Sequence, residues 1–378
     1  MGRDLGSMSA AGLIVFFTYR VSLATWAERG ILEREIQVYR RLLPRVGSVT
    51  FLTYGADDRR FEPRLGGIGV LPRPPRLRPA VLSLLAPWVY RRQLRAAAVL
   101  KTNQASGAWT AVLAKCLHGT PLVVRCGFPW SFNYERESPS AIRRLTVRLL
   151  ERLAVRAADR VVVTSQSVAD DLVARHGVDR QRLRIVPNAI DVDRFAPGPQ
   201  AQRDKGLIAF VGRLAPEKRL DILVGAAASV PNARLLLIGD GPERERLARQ
   251  AAATGVPLEL AGTVPNTEVP DRLARAEIFA LPSAYEGQPK ALLEAMACGL
   301  PVVGSDVAGI REIVAHGESG LLTPAGDVDA LAGALRALAN DPALRERLGL
   351  AGRAAVQRRY ALDAVVEQEI AVLAEVAR

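Results

Sequence analysis

Residues 278–304 read IFALPSAYEGQPKALLEAMACGLPVVG. The apolar run Ile278 to Leu281 has the length of a buried strand, and the polar turn after it carries Pro289, which suits a first helical turn because its missing N–H costs nothing there. Gly299 suits the stop of the helix that follows, and Pro301 to Gly304 reads as another short apolar strand. A strand, a helix and a second strand in this order form a parallel crossover unit, so this stretch predicts an α/β protein.

The same alternation extends in both directions. Upstream in this half, strands are expected near Leu207 to Val211, Arg234 to Ile238 and Leu258 to Leu260, and one downstream at Gly320 to Leu322. Residues 185–199 are rich in Pro, Asn and Asp, which marks an irregular connection. Before it runs another series, with strands at Leu13 to Tyr19, Ser48 to Thr53, Ala98 to Lys101, Pro121 to Arg125 and Arg160 to Thr164, and a helical pattern over about Ala27 to Leu43. Two Rossmann-like, doubly wound domains are therefore predicted: 1–190, a linker over 191–205, then 206–358. A last helix over 359–378 is long enough to return to the first domain.

A chain of 378 residues with 49% hydrophobic and 24% charged residues suits two packed domains and excludes disorder. No run of about 18 uncharged apolar residues and no signal pattern at the N-terminus is present, so a cytoplasmic protein is expected. Cys116, Cys126 and Cys298 are too scattered for a disulfide framework or a zinc site. The net charge is +12, and only five of the 51 basic residues are lysine. That excess favours phosphates, anionic lipid or nucleic acid as neighbours. Nucleic acid fits least, since no stacking platform or recognition motif accompanies the charge.

Two clusters carry candidate chemistry. Glu286 lies in the loop before the helix and Glu294 a turn or more inside it, so the two carboxylates reach different hydroxyls of one ligand, while the helix start favours an anion such as a diphosphate. The plainer alternative is a capping Glu286 and a solvated Glu294. In Phe210-Val211-Gly212-Arg213-Leu214-Ala215-Pro216-Glu217-Lys218, a strand delivers Gly212 and Arg213 at its carboxyl end, where open α/β sheets bind ligands. Arg213 and Lys218 there can neutralise a diphosphate, or both can be surface residues paired with Glu217 or Asp221. Gly239-Asp240-Gly241 begins like a dinucleotide fingerprint, but Arg244 replaces its last glycine, so no nicotinamide cofactor is expected.

The ordered segments VGRLAPEK, LLLIGDGPERERL, AGTVPNTEV, ALPSAYEGQPKALLEAMACGLPVVGSD, AGIREIV and GESGLLTP resemble those of the family-4 glycosyltransferases, retaining enzymes of the GT-B architecture. The resemblance is strong over residues 185–335. It implies two Rossmann-like domains facing a cleft and transfer of a sugar from a nucleoside diphosphate sugar to an acceptor hydroxyl. Arg213 and Lys218 would hold the donor diphosphate, Glu294 the ribose hydroxyls, and Glu286 the transferred sugar. Gly287, Gln288, Lys290 and Ala291 would lie along sugar and phosphate, Thr263 and Val264 beside the base, and the Gly30 loop over the phosphates. No metal or cofactor is implied. One departure stands out: many members carry His-Gly after a first-domain strand, and PLVVRCGFPW here has Cys126-Gly127, with Arg125, Trp130 or the backbone as substitutes for the histidine. A nucleotide-sugar epimerase and an inert nucleotide-binding scaffold remain open as alternatives.

Arg144, Arg148, Arg152, Arg156 and Arg160 recur every fourth residue of a predicted helix, with Leu145, Leu149, Leu150 and Leu153 on other faces. In LRPAVLSLLAPWVYRRQLR, Trp88 and Tyr90 adjoin Arg91, Arg92 and Arg95. Both segments fit peripheral contact with an anionic membrane and a lipid-linked acceptor. The alternative is that Leu82 to Trp88 packs in the core and the arginines form a solvated face paired with Glu151.

Overall fold

The computed structural model describes residues 12–137, 140–198 and 203–377; the expected absence of a leader at the extreme N-terminus and part of the 191–205 linker fall outside them. The chain divides into two compact units.

The first unit comprises the described residues up to Pro187 together with those from Val365 onward. Its sheet is wholly parallel, in the order β3-β2-β1-β4-β5-β6-β7. The strands are β1 (Leu13–Phe16), β2 (Val49–Leu52), β3 (Gly69–Leu71), β4 (Val99–Thr102), β5 (Leu122–Cys126), β6 (Arg160–Val163) and β7 (Leu183–Ile185). Near-continuous apolar runs such as LIVF and LVVRC belong to strands buried on both faces. The predicted 27–43 helix is two helices, Leu23–Glu28 and Leu32–Val46, because Gly30 takes a left-handed φ of 68° between them.

The last helix, Leu362–Val376, is held within this unit by charge. Lys101 on β4 meets Glu369 at 2.7 Å with both side chains 2% exposed, and Arg125 on β5 lies 3.7 Å from the same carboxylate. Burial alone would lift the Glu369 carboxyl, but Lys101 and Arg125 hold it below the usual range. Arg45 reaches Glu367, and Arg160 and Arg184 share Glu375.

The second unit spans Asn188–Ala364. Its parallel sheet has the order β10-β9-β8-β11-β12-β13. The strands are β8 (Leu207–Val211), β9 (Arg234–Ile238), β10 (Leu258–Gly262), β11 (Ile278–Leu281), β12 (Val302–Ser305) and β13 (Leu321–Thr323). In each sheet the strand order reverses beside the first strand, β1 or β8, which is where such folds place ligands.

Asn188 to Ile190, expected in the first domain, and the described part of the linker that follows belong to the second unit. Asn188 donates to the Gln288 carbonyl at 2.8 Å, Ile190 bridges to the Tyr360–Leu362 backbone, and Arg353 donates to the Phe195 carbonyl. The first boundary falls after Pro187, and the second falls after Ala364, within the first turn of the last helix.

Candidate functional site

The loops at the carboxyl ends of β8 and β9 are locked together backbone to backbone. A Cβ on Gly239, whose φ is +135°, would stand 1.9 Å from the Gly212 carbonyl oxygen, and one on Gly241 would stand 2.3 Å from that of Leu214. Gly212 N–H in turn donates to Ile238 O at 2.9 Å. The glycines that resembled part of a dinucleotide fingerprint thus serve this close approach, which fixes the backbone carrying Arg213. The Arg213 side chain is exposed, and among the described residues no hydrogen bond or ion pair holds it.

Past Arg213 the chain makes a short 3-10 turn, Pro216–Lys218, which presents Lys218 towards the β11 loop. Lys218 Nζ lies 2.6 Å from Glu286 Oε1, and Ser283 Oγ donates to the same oxygen at 2.7 Å. The backbone ties the loops as well, with Ala284 N–H on the Glu217 carbonyl at 2.8 Å. Lys218 therefore pairs with neither Glu217 nor Asp221; Asp221 takes Arg219 instead. Glu286 does not cap the helix.

The helix after Glu286 is Lys290–Ala297, with Pro289 one step earlier than expected, at the N-cap position, and no side chain capping it. An α-helix leaves its first N–H groups without intrahelical acceptors, so this end is electropositive. Gly309 packs against the loop so closely that a Cβ there would come 2.2 Å from Gly287 O. Glu294 is not solvated: it is 1% exposed, and Asn266 Nδ2 donates to its Oε1 at 3.1 Å. Asn266 sits in the β10 loop just past Thr263, which is exposed, and Val264, which packs into the core. Gln288 turns its side-chain carbonyl to the Asn188 N–H. Lys290 and Ala291 are half-buried in the first helical turn.

The second unit thus brings Gly212, Arg213, Lys218, Glu286, Gly287, Gln288, Lys290, Ala291 and Glu294 onto loops and a helix start beyond the carboxyl ends of β8 and β11, with Thr263 and Val264 after β10. Gly30 belongs to the first unit, in a turn between two helices. Sequence reasoning missed Ser283 and Asn266. Ser283 could have been found from its place at the end of an apolar strand; Asn266 carries no comparable signal.

In the first unit Cys126 is fully buried, and burial raises its thiol well above the ordinary value; burial likewise pushes Cys298 up to about 12. Neither is placed as a nucleophile, which needs an accessible thiolate. Arg125 is engaged with Glu369. Glu151 does not pair with the arginine face. It is fully buried, accepts from the Trp130 and Ser131 N–H groups at 2.5 and 3.2 Å, and lies 3.0 Å from His176 Nε2. It therefore serves the N-terminus of the Trp130–Glu137 helix.

Two parallel Rossmann-like sheets, the second with Arg213, Lys218, Glu286 and Glu294 beyond its strand ends, have the fold of the GT-B glycosyltransferases. The chain belongs to glycosyltransferase family 4: the model described as Glycosyl transferases group 1 matches residues 191–355, and that described as Glycosyltransferase Family 4 matches residues 36–194. The sulfoquinovosyl transferase of Arabidopsis thaliana is 33% identical over 245 residues, covering 60% of this chain and 48% of that protein. A D-inositol 3-phosphate glycosyltransferase of Kribbella flavida is 36% identical over 229 residues, 54% of each chain. The chain spans about half the length of these curated relatives. Among solved structures, Anabaena HepE in complex with UDP and glucose has the same fold, with a TM-score of 0.78 at 21% identity over 96% of this chain and 100% of that one. No helix among the described residues is long and apolar enough to cross a membrane.

Proposed function

We propose that this glycosyltransferase moves a sugar from a nucleoside diphosphate sugar to an acceptor hydroxyl with retention at the anomeric carbon. The observation that carries the donor assignment is the Lys218–Glu286 contact at 2.6 Å, beside an uncapped helix start and an unengaged Arg213. A cation whose counter-ion is a loop carboxylate can turn part of its charge to a phosphate while the carboxylate accepts from a sugar hydroxyl. Glu294, oriented by Asn266, would take the ribose hydroxyls, and the loop at Thr263 and Val264 the base.

In the reaction the bond between the anomeric carbon and the diphosphate oxygen breaks, and the acceptor oxygen bonds to that carbon on the same face. The departing phosphate takes the acceptor proton. Arg213, Lys218 and the N–H groups of the Lys290–Ala297 helix meet the charge that develops on the diphosphate, the task of preorganised donors and dipoles, and this reading requires no metal ion. The acceptor we favour is a lipid-linked saccharide at the inner face of a membrane, in the synthesis of a cell-surface polysaccharide or glycoconjugate, given the basic first unit. Donor hydrolysis and transfer by an Arg213→Ala variant test the assignment: turnover is expected to fall about 10²- to 10³-fold with the melting temperature unchanged. Full activity in that variant would refute it.

A further inference from the structure

Large exposed apolar side chains concentrate on one face of the first unit. The Pro79–Val89 helix turns Val81, Leu84, Leu85, Trp88 and Val89 to solvent. Their spacing of i, i+3, i+4, i+7 and i+8 is that of a single helical stripe, so this helix shows water the side that a globular helix ordinarily hides. Its orientation is fixed: Leu82 and Ala86 are fully buried beneath it, and Thr110 Oγ1 donates to the Ser83 carbonyl at 2.8 Å. The neighbouring Trp109–His118 helix packs against it, His118 Nε2 lying 2.8 Å from Pro87 O, and contacts in turn the Ala141–Ala157 helix. There Ile142, Leu145, Leu149 and Leu153 are 50–79% exposed.

The exposed charge on the ridge helices themselves has one sign. From residue 63 to residue 134 the chain contains no acidic residue, and the one acid of the Ala141–Ala157 helix, Glu151, is turned inward. Arg91, Arg92 and Arg95 follow the first ridge, and Arg148 and Arg152 flank the second, all exposed.

We propose that this face docks on an anionic lipid bilayer, with Leu84, Leu85, Trp88, Leu145 and Leu149 entering the headgroup boundary and the arginines meeting lipid phosphates. A large apolar patch rimmed by charge marks an interaction surface, and leucines and a tryptophan beside arginines match the chemistry of the bilayer interface. A second copy of the chain is a poor occupant, because a two-fold pairing would set arginine against arginine. The inference rests on the lipid-linked acceptor reading only for its setting. Vesicle binding is measured without donor, so the two fail separately.

The test is co-sedimentation of the full chain with vesicles of phosphatidylcholine alone and of equal parts phosphatidylcholine and phosphatidylglycerol, at low and high salt. Binding is expected to the mixed vesicles only and to weaken with salt. Leu84→Ser with Trp88→Ser should lower partitioning at least ~10-fold with an unchanged melting curve, and Arg91→Glu with Arg92→Glu should do so most at low salt. Brominated lipid should quench wild-type emission more than that of Trp88→Phe. Failure of the wild type to bind mixed vesicles at low salt, unchanged partitioning of both double variants, or self-association that Leu84→Ser abolishes would overturn the proposal.

Discussion

The two units use charge in opposite ways. In the first, Lys101 is sealed against Glu369 and Glu151 against His176 and two backbone N–H groups, so these ions are spent on holding helices in place. In the second, Lys218 is only part-buried against Glu286, and Arg213 stands in solvent. The same Rossmann-like sheet thus carries buried ions as structural ties in one unit and, on the proposed function, more accessible ions as donor-binding groups in the other. For the Lys101–Glu369 and Lys218–Glu286 pairs, exposure rather than the presence of charge separates the two uses.

Substitutions can break that contrast. The largest effect is expected from Lys101→Met, which leaves a buried carboxylate with only the more distant Arg125; unfolding in denaturant should show a loss of about 3–5 kcal/mol. Donor binding by the second unit should survive. Lys218→Ala should do the reverse, lowering turnover about 10²-fold while stability shifts by less than about 1 kcal/mol, since the pair is part-exposed. Equal losses of stability in both variants would erase the distinction.

Glu151→Gln is expected to have the smallest effect, about 1–3 kcal/mol near neutral pH, the usual cost of a disturbed buried hydrogen-bond set. Burial alone would raise the Glu151 carboxyl, but His176, Ser131 and the Trp130 N–H outweigh it and hold it below the usual carboxylate value. Its stabilisation is therefore complete above that value and fades as pH falls through the lower folded-state value. Acid unfolding of Glu151→Gln should lack that part of the pH dependence. A curve parallel to wild type below about pH 4.5 would show that Glu151 is not a structural tie.

Most strands were legible because they are continuous apolar runs, and β8, β9 and β11 fall at the predicted residues. β3 and β7 were not read from the sequence, although β13, equally short, was. In the candidate site, motif order located Arg213, Lys218, Glu286 and Glu294, but not which of them touch. That Lys218 meets Glu286 depends on how the β8 and β11 loops converge, which no local pattern encodes. The ridge at Leu84 and Trp88 was legible as an apolar stripe, but periodicity does not say whether a stripe faces core or solvent. Leu145, Leu149 and Leu153, expected apart from the arginines, share the exposed side with Arg148 and Arg152. Glu369, far along the chain from Lys101, gave no sign of being its partner.

That last pair ties the two ends of the message together in time. Lys101 lies in the middle of the first sheet, yet its counter-ion is translated only after the whole of residues 188–364. At about 5–20 residues per second, roughly 10–35 s of synthesis separates Pro187 from Glu369, and within that time every strand of the second unit is made. The unit that holds Lys101 thus receives its last segment after the residues of the second unit are in place along the chain.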